Sequence, residues 1–200
     1  ALSSTRILDQ FAEAKALGYQ TRPVLLGPVT FLSLAKGRDV DPITLLDAIL
    51  PVYEDVIWKL VGLGADWVQI DEPALVLDLN EAQQDAFRRA YARLATKGAK
   101  LMLTSYFGGL GDNLALATDL PVHGLHIDLV RAPAQLDAVA AKLRATQLLS
   151  LGVIDGRNVW RADLDAVLDR IEAVAAKRDV VIAPSCSLLH VPVDLALETG

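Results

Sequence analysis

Cysteine, methionine and aromatic residues are scarce in this 200-residue chain: it has one cysteine, one methionine, and only 6% Phe, Trp and Tyr. A single cysteine excludes a disulfide framework and, by itself, any thiolate-rich zinc site. It fits a reducing compartment, so the expected location is the cytoplasm. Basic residues are outnumbered by acidic ones, 19 against 25, for a net charge of −6. With no basic run of five or more, the chain has no footprint for non-specific nucleic-acid binding, and no such partner is expected. No apolar stretch approaches the ~18 residues of a membrane span, and no secretory leader opens the chain, so no membrane partner is expected either. The first residue is Ala1 rather than Met, which reads as trimming or excision. What the chain does have is apolar residues. At 52% hydrophobic and a mean hydropathy of +0.34 it is no disordered polymer, and its length suits a single core.

The apolar residues come in a rhythm. Short runs at Pro23–Val29, Trp67–Ile70, Lys100–Thr104, Gly124–Val130, Gln147–Val153 and Val180–Ala183 are apolar almost throughout, as strands covered on both faces read. Between them lie helix-length amphipathic stretches at Ile43–Leu63, Asn80–Lys97, Gln135–Ala145 and Asp163–Ala176, with a weaker one at Asn113–Ala117. A leading helix, Ser3–Leu17, ends at Gly18. Asp41-Pro42 and Asn80 supply helix starts, and Gly62 or Gly64 and Gly98 supply helix ends. Strand and helix alternating in this way predict a parallel sheet with covering helices. An open doubly wound sheet and a (β/α)8 barrel both fit that pattern. Each run ends on polar residues: Thr30, Asp71-Glu72, Thr104-Ser105, Asp128, Asp155 and Ser185-Cys186. In an open sheet only the switch-point strands need this, whereas all barrel strands converge on one mouth. The prediction is an α/β fold of TIM type, a partial barrel of about six β/α units spanning residues 1–200 as one domain. Such a piece should expose two strand edges and some apolar surface.

Several motifs bear on chemistry. Gly108-Gly109-Leu110-Gly111-Asp112-Asn113 lacks the Gly-Lys-Ser/Thr ending of a P-loop and reads as a turn followed by an Asn or Asp cap. Asp71-Glu72-Pro73 is more pointed, because adjacent carboxylates on an extended segment face opposite ways, one into a mouth and one to its rim. Either could bind an amine or act as a general base, or the pair could simply cap and bridge. His126 and Asp128 share a strand face and, with Cys186, could ligate a metal; a buried histidine bonded to Asp128 or to backbone is the plainer reading. Arg157 and Arg161, in a loop flanked by glycines, could grip a carboxylate or phosphate, or pair with Asp155 and Asp163.

Five strings together resemble the cobalamin-independent methionine synthase family. They are Leu26-Gly27-Pro28-Val29-Thr30, Trp67-Val68-Gln69-Ile70-Asp71-Glu72-Pro73-Ala74-Leu75, Gly124-Leu125-His126-Ile127-Asp128, Asn158-Val159-Trp160-Arg161-Ala162-Asp163 and Ser185-Cys186-Ser187-Leu188-Leu189-His190. They span nearly the whole chain in order. The resemblance implies a two-barrel methyltransferase that passes the methyl group of 5-methyltetrahydrofolate, in its polyglutamate form, to homocysteine to make methionine. It implies zinc in the C-terminal barrel, held by His-x-Cys, Glu and a distant Cys, and a thiolate made nucleophilic by that metal. This sequence resembles the other, N-terminal barrel, starting part-way through it. Where His-x-Cys would stand it reads Leu103-Thr104-Ser105-Tyr106, and the zinc glutamate position reads Asp128. Cys186 alone keeps its ligand type, as a vestigial metal candidate. Asp71 matches the aspartate that recognises the substrate amino group in the catalytic copy, and Arg157 falls near its proton-donating histidine.

The resemblance therefore implies a degenerate scaffold barrel with no catalytic residue and no cofactor of its own, packed on the C-terminal catalytic barrel. Asp71, Glu72, Asp128 and Arg157 are its vestigial substrate-binding candidates. Two alternatives stand beside it. One is a stand-alone binding module with a ligand site at Asp71, Asp128 and Cys186. The other is an open-sheet enzyme using Asp71 or Glu72 as a base. Strand order separates the last from the barrel.

Overall fold

Six parallel strands pair in the order of the chain: β1 (Val24–Leu26), β2 (Trp67–Asp71), β3 (Lys100–Thr104), β4 (Gly124–Asp128), β5 (Leu148–Ile154) and β6 (Val180–Pro184). These are seen in a computed structural model that describes residues 2–191. Every neighbouring pair is parallel, and among the described residues no strand is inserted out of turn. A doubly wound sheet reverses its strand order at a switch point, and this one does not. The fold is α/β, and the strand order is that of a (β/α)8 barrel over six units. The open-sheet alternative is thereby excluded.

Among the described residues seven helices connect and cover the strands: α1 (Arg6–Ala16), α2 (Pro28–Leu34), α3 (Leu46–Gly62), α4 (Glu81–Leu94), α5 (Leu114–Asp119), α6 (Leu136–Lys142) and α7 (Leu164–Ala175). Local chemistry fixes their starts. Asp41 Oδ1 accepts from Ile43 N at 3.1 Å and opens a 3-10 turn, Pro42–Leu45, that runs into α3. Asn80 and Gln83 form a reciprocal capping box at α4, and Asp163 accepts from Ala166 N at 3.2 Å to start α7. α3 ends at Gly62, with Gly64 at positive φ just beyond its C-cap Leu63, whereas α4 ends at Leu94, short of the predicted Gly98, which also has positive φ.

Register sorts the sheet into two opposed surfaces. Leu25, Ile70, Leu103, Leu125, Leu149 and Val180 lie side by side in one row facing the helices. The next row, one residue on, is Leu26, Asp71, Thr104, His126, Ser150 and Val181, and it faces the lumen. The first row belongs to one continuous apolar core that also includes Leu46, Leu50, Ile57, Leu60, Phe87 and Leu94 from α3 and α4. Among the described residues β1 and β6 each have one strand neighbour, and Val24, Leu26 and Ile182 are half exposed there. This is the edge exposure expected of a partial barrel.

Three readings need correction. The first run was expected to continue to Val29, but β1 stops at Leu26 and Pro28 begins α2. Proline has no N–H for a ladder and fits the first helical position, where none is needed. Thr30 is accordingly a helical residue and does not end a strand. The fourth run was expected to reach Val130, but the Asp128 carboxylate draws Val130 N and Arg131 N into a turn and β4 ends there. The glycine-rich turn was expected to lead into an Asn or Asp cap; Asn113 does stand at the N-cap of α5, but its side chain makes no capping bond. Its Nδ2 instead donates to Leu75 O at 2.9 Å and Leu77 O at 2.7 Å, tying the loop after β3 to the loop after β2.

Candidate functional site

In barrels of this type the C-terminal ends of the strands form the mouth where chemistry is placed. Asp71 is the last residue of β2 and faces the lumen. Its Oδ1 accepts from Gln69 Nε2 at 2.8 Å and its Oδ2 from Tyr106 OH at 3.2 Å. No cation pairs with it among the described residues. Burial therefore raises its pKa, and the two hydrogen bonds only partly offset that. Next to it, in register, Thr104 is buried with its hydroxyl unpartnered, as is Ser105.

Glu72, one residue on, points the other way and is fully buried behind the sheet. Its carboxylate accepts from Thr30 N at 2.7 Å, Val29 N at 3.2 Å and Tyr91 OH at 3.3 Å, holding the first turn of α2. Gly27 makes room for it, since a Cβ there would lie 2.0 Å from Glu72 Cδ. Burial pushes the Glu72 pKa up to about 7 despite these bonds. Tyr91 is likewise raised by burial and by the neighbouring carboxylate. The two adjacent carboxylates thus face opposite sides of the sheet, as extended geometry requires.

Asp128 is buried and organises loops. Its Oδ2 accepts from Phe107 N at 3.0 Å, and its Oδ1 accepts from Val130 N at 2.9 Å and Arg131 N at 2.8 Å. Its backbone carbonyl accepts from Gln135 Nε2 at 2.8 Å. His126 is not bonded to it. Ser150 Oγ lies 2.9 Å from His126 Nδ1, and Ser185 O lies 3.4 Å from Nε2. The carbonyl can only accept, so the proton sits on Nε2 and Ser150 donates to Nδ1. Burial lowers the His126 pKa to about 4, so the ring is neutral.

Arg157 makes no ion pair with Asp155; its guanidinium lies over the Phe107 ring at 5.1 Å. Asp155 instead accepts from Arg157 N and Asn158 Nδ2. Cys186 is buried, packs against Gly156, and has a thiol pKa raised by burial. Among the described residues no three His, Cys, Asp or Glu side chains are grouped to hold a metal ion. The donor set at this mouth does not fit zinc: the Asp128 oxygens are bonded to backbone amides, Thr104 and Ser105 offer hydroxyls, and Cys186 supplies a single thiol.

Sequence reasoning missed Tyr106 and Phe107. Phe107 has φ +76°, rare for an aromatic residue, and packs edge-on with Tyr106 at 4.6 Å and His190 at 5.5 Å. Two aromatics directly after a strand end were the available signal. The structure brings Asp71, Tyr106, Phe107 and Arg157 to the mouth, and turns Glu72 away from it.

Comparisons with known proteins agree with this architecture. Residues 1–179 match the family described as cobalamin-independent synthase, N-terminal domain. The chain is 62% identical to the 5-methyltetrahydropteroyltriglutamate–homocysteine methyltransferase of Nitrobacter winogradskyi, covering 99% of this chain and 27% of that protein. It is 62% identical to the protein of the same name from Caulobacter vibrioides, again over 27% of its length. The chain thus spans about a quarter of the relatives it matches. A solved B12-independent methionine synthase from Shewanella sp. W3-18-1 superposes with a TM-score of 0.73 at 15% identity, over 92% of this chain and 61% of that one, and shares its fold. With nine-tenths of its length matched to the family, the chain belongs to the cobalamin-independent synthases.

Proposed function

We propose that this chain is a non-catalytic barrel of a methyltransferase that moves a methyl group from 5-methyltetrahydropteroyltriglutamate to homocysteine. On this reading residues 1–200 form one domain, the N-terminal barrel. It packs beside a C-terminal barrel that holds zinc and both substrates, in the cytoplasm. The observation that carries the reading is the state of the mouth. At the three strand ends where a thiolate-activating metal would be held, the chain offers hydroxyls at Thr104 and Ser105, a carboxylate at Asp128 bonded to three amides, and a lone buried thiol at Cys186. Asp71 and Arg157 are the members of the candidate set left facing the mouth, where they would shape the approach of substrate. Glu72 and Asp128 position loops, α2 in one case and the turns after β3 and β4 in the other.

The test is a segment exchange. The matching stretch of the Caulobacter vibrioides enzyme, 62% identical, is replaced by this chain, and methionine formation is assayed. Retained activity with unchanged zinc content is expected. A folded chimera with zinc bound but no activity would count against the assignment. A second reading, a binding module, draws on the unpaired Asp71 beside the unpartnered Thr104 hydroxyl. It predicts that the isolated chain binds a small ammonium compound in an Asp71-dependent way.

A further inference from the structure

The end of the barrel opposite the mouth is unaccounted for by that function. A cavity of about 850 Å³ opens where β2 to β5 begin, within the range of small-ligand sites. Trp67, Lys100 and His123 line it from the sheet, and Lys177 and Arg178 line it from the end of α7.

Its charge is poorly compensated. Lys100 and Lys177 form no ion pair among the described residues. The Arg178 guanidinium donates to the carbonyls of Ala140, Leu143, Arg144 and Gln147, all neutral acceptors, and its Nε is buried without a partner. Lys100 lies over the Trp67 ring at 5.7 Å, and Arg22, outside the cavity lining, lies over the same ring at 5.5 Å. Burial lowers both arginines, as it does for cations with no counter-charge nearby. Asp137 and Asp179 line the same cavity, but neither comes within ion-pair distance of these cations.

His123 adds a neutral donor. Its Nδ1 accepts from Leu101 N at 3.2 Å, which puts its proton on Nε2. Helix C-termini collect at this end, and basic residues there complement their dipoles. That explains Lys177 and Arg178. It does not explain Lys100, which stands at a strand start, lines the cavity and has no ion-pair partner among the described residues.

We propose that this cavity binds a small anion carrying carboxylate or phosphate groups, held by Lys100, Lys177 and His123 beside Trp67. The site lies at the other end of the strands from the mouth, so it stands or falls independently of the methyl-transfer reading. The test is a titration of the ¹⁵N-labelled chain with citrate, and separately with inorganic phosphate, at ionic strength held constant with sodium chloride. Saturable shifts are expected at the Trp67 indole and at the Lys100 and Lys177 amides, with the Trp58 and Trp160 indoles unmoved. Binding should weaken about tenfold or more in the Lys100→Gln, Lys177→Gln double variant, two exposed positions whose change leaves the rest of the spectrum in place. A response to citrate alone assigns a carboxylate ligand, and a response to phosphate alone assigns a phosphate. Shifts that do not saturate with either anion, or that persist unchanged in the double variant, would overturn the proposal.

Discussion

Two neighbouring rows of the same sheet have opposite characters. The helix-facing row, Leu25, Ile70, Leu103, Leu125, Leu149 and Val180, is apolar at every position, and its four central members are fully buried. The lumen row, displaced by one residue, carries Asp71, Thr104, His126 and Ser150 in its four central positions. The first row has all the hallmarks of a core. The second holds an unpaired carboxylate, an unpartnered hydroxyl and a neutral histidine, groups that cost stability when buried. Stability therefore resides behind the sheet, and the lumen is where polar groups are tolerated for another purpose.

The sharpest way to break this contrast is to cut into the apolar row. Leu103→Ala should cost about 2–5 kcal/mol in denaturant unfolding, because a fully buried leucine leaves a cavity between sheet and helices. Thr104→Val, one residue away on the lumen side, should be neutral or stabilising, because it removes a buried hydroxyl that has no partner. Equal losses at the two positions would erase the distinction.

Glu72 is the exception behind the sheet, and it makes the second prediction. Its folded pKa, about 7, lies above its ordinary value of 4.5, so the folded state holds the proton more tightly than the unfolded chain. Its contribution is greatest at low pH and is lost as pH rises from about 4.5 through about 7. Glu72→Gln should flatten that part of the stability–pH curve, read from denaturation midpoints at pH 4, 6 and 8.

His126 gives the opposite slope from the lumen side. Its folded pKa of about 4 lies below the ordinary 6.5, so stability is full above about 6.5 and falls as the pH drops toward 4. His126→Gln should remove that slope and leave the Glu72 region unchanged. The smallest effect is expected outside both rows. Breaking the exposed Arg89–Asp47 pair, 2.9 Å apart on α4 and α3, with Asp47→Asn should change stability by no more than about 1 kcal/mol.

Much of this contrast was legible in the sequence. Strands covered on both faces showed as continuous apolar runs, and the opposed faces of Asp71 and Glu72 follow from extended geometry. Polar residues at successive strand ends pointed to a barrel, and the strand order agrees. The hidden parts depend on contacts distant in the chain. Pro28–Leu34 is too short and too apolar to show a helical period, and it is anchored by Glu72, more than forty residues away. The roles of Asp128 and Asn113 were invisible for the same reason, since each bonds the backbone of another strand's loop. The aromatic pair after β3 was visible in the sequence but the conformation of Phe107 was not, because a positive φ at a bulky residue contradicts local preference; the Asp128 carboxylate bonds its N–H in that conformation.

On the proposed reading this barrel would shape a methyltransferase without performing its chemistry. The direct measurement is methionine formation by the isolated chain, given 5-methyltetrahydropteroyltriglutamate, homocysteine and excess zinc. None above the uncatalysed rate is expected, and no difference between the unaltered chain and Cys186→Ser. Methionine produced at a rate that depends on zinc and falls in Cys186→Ser would contradict it.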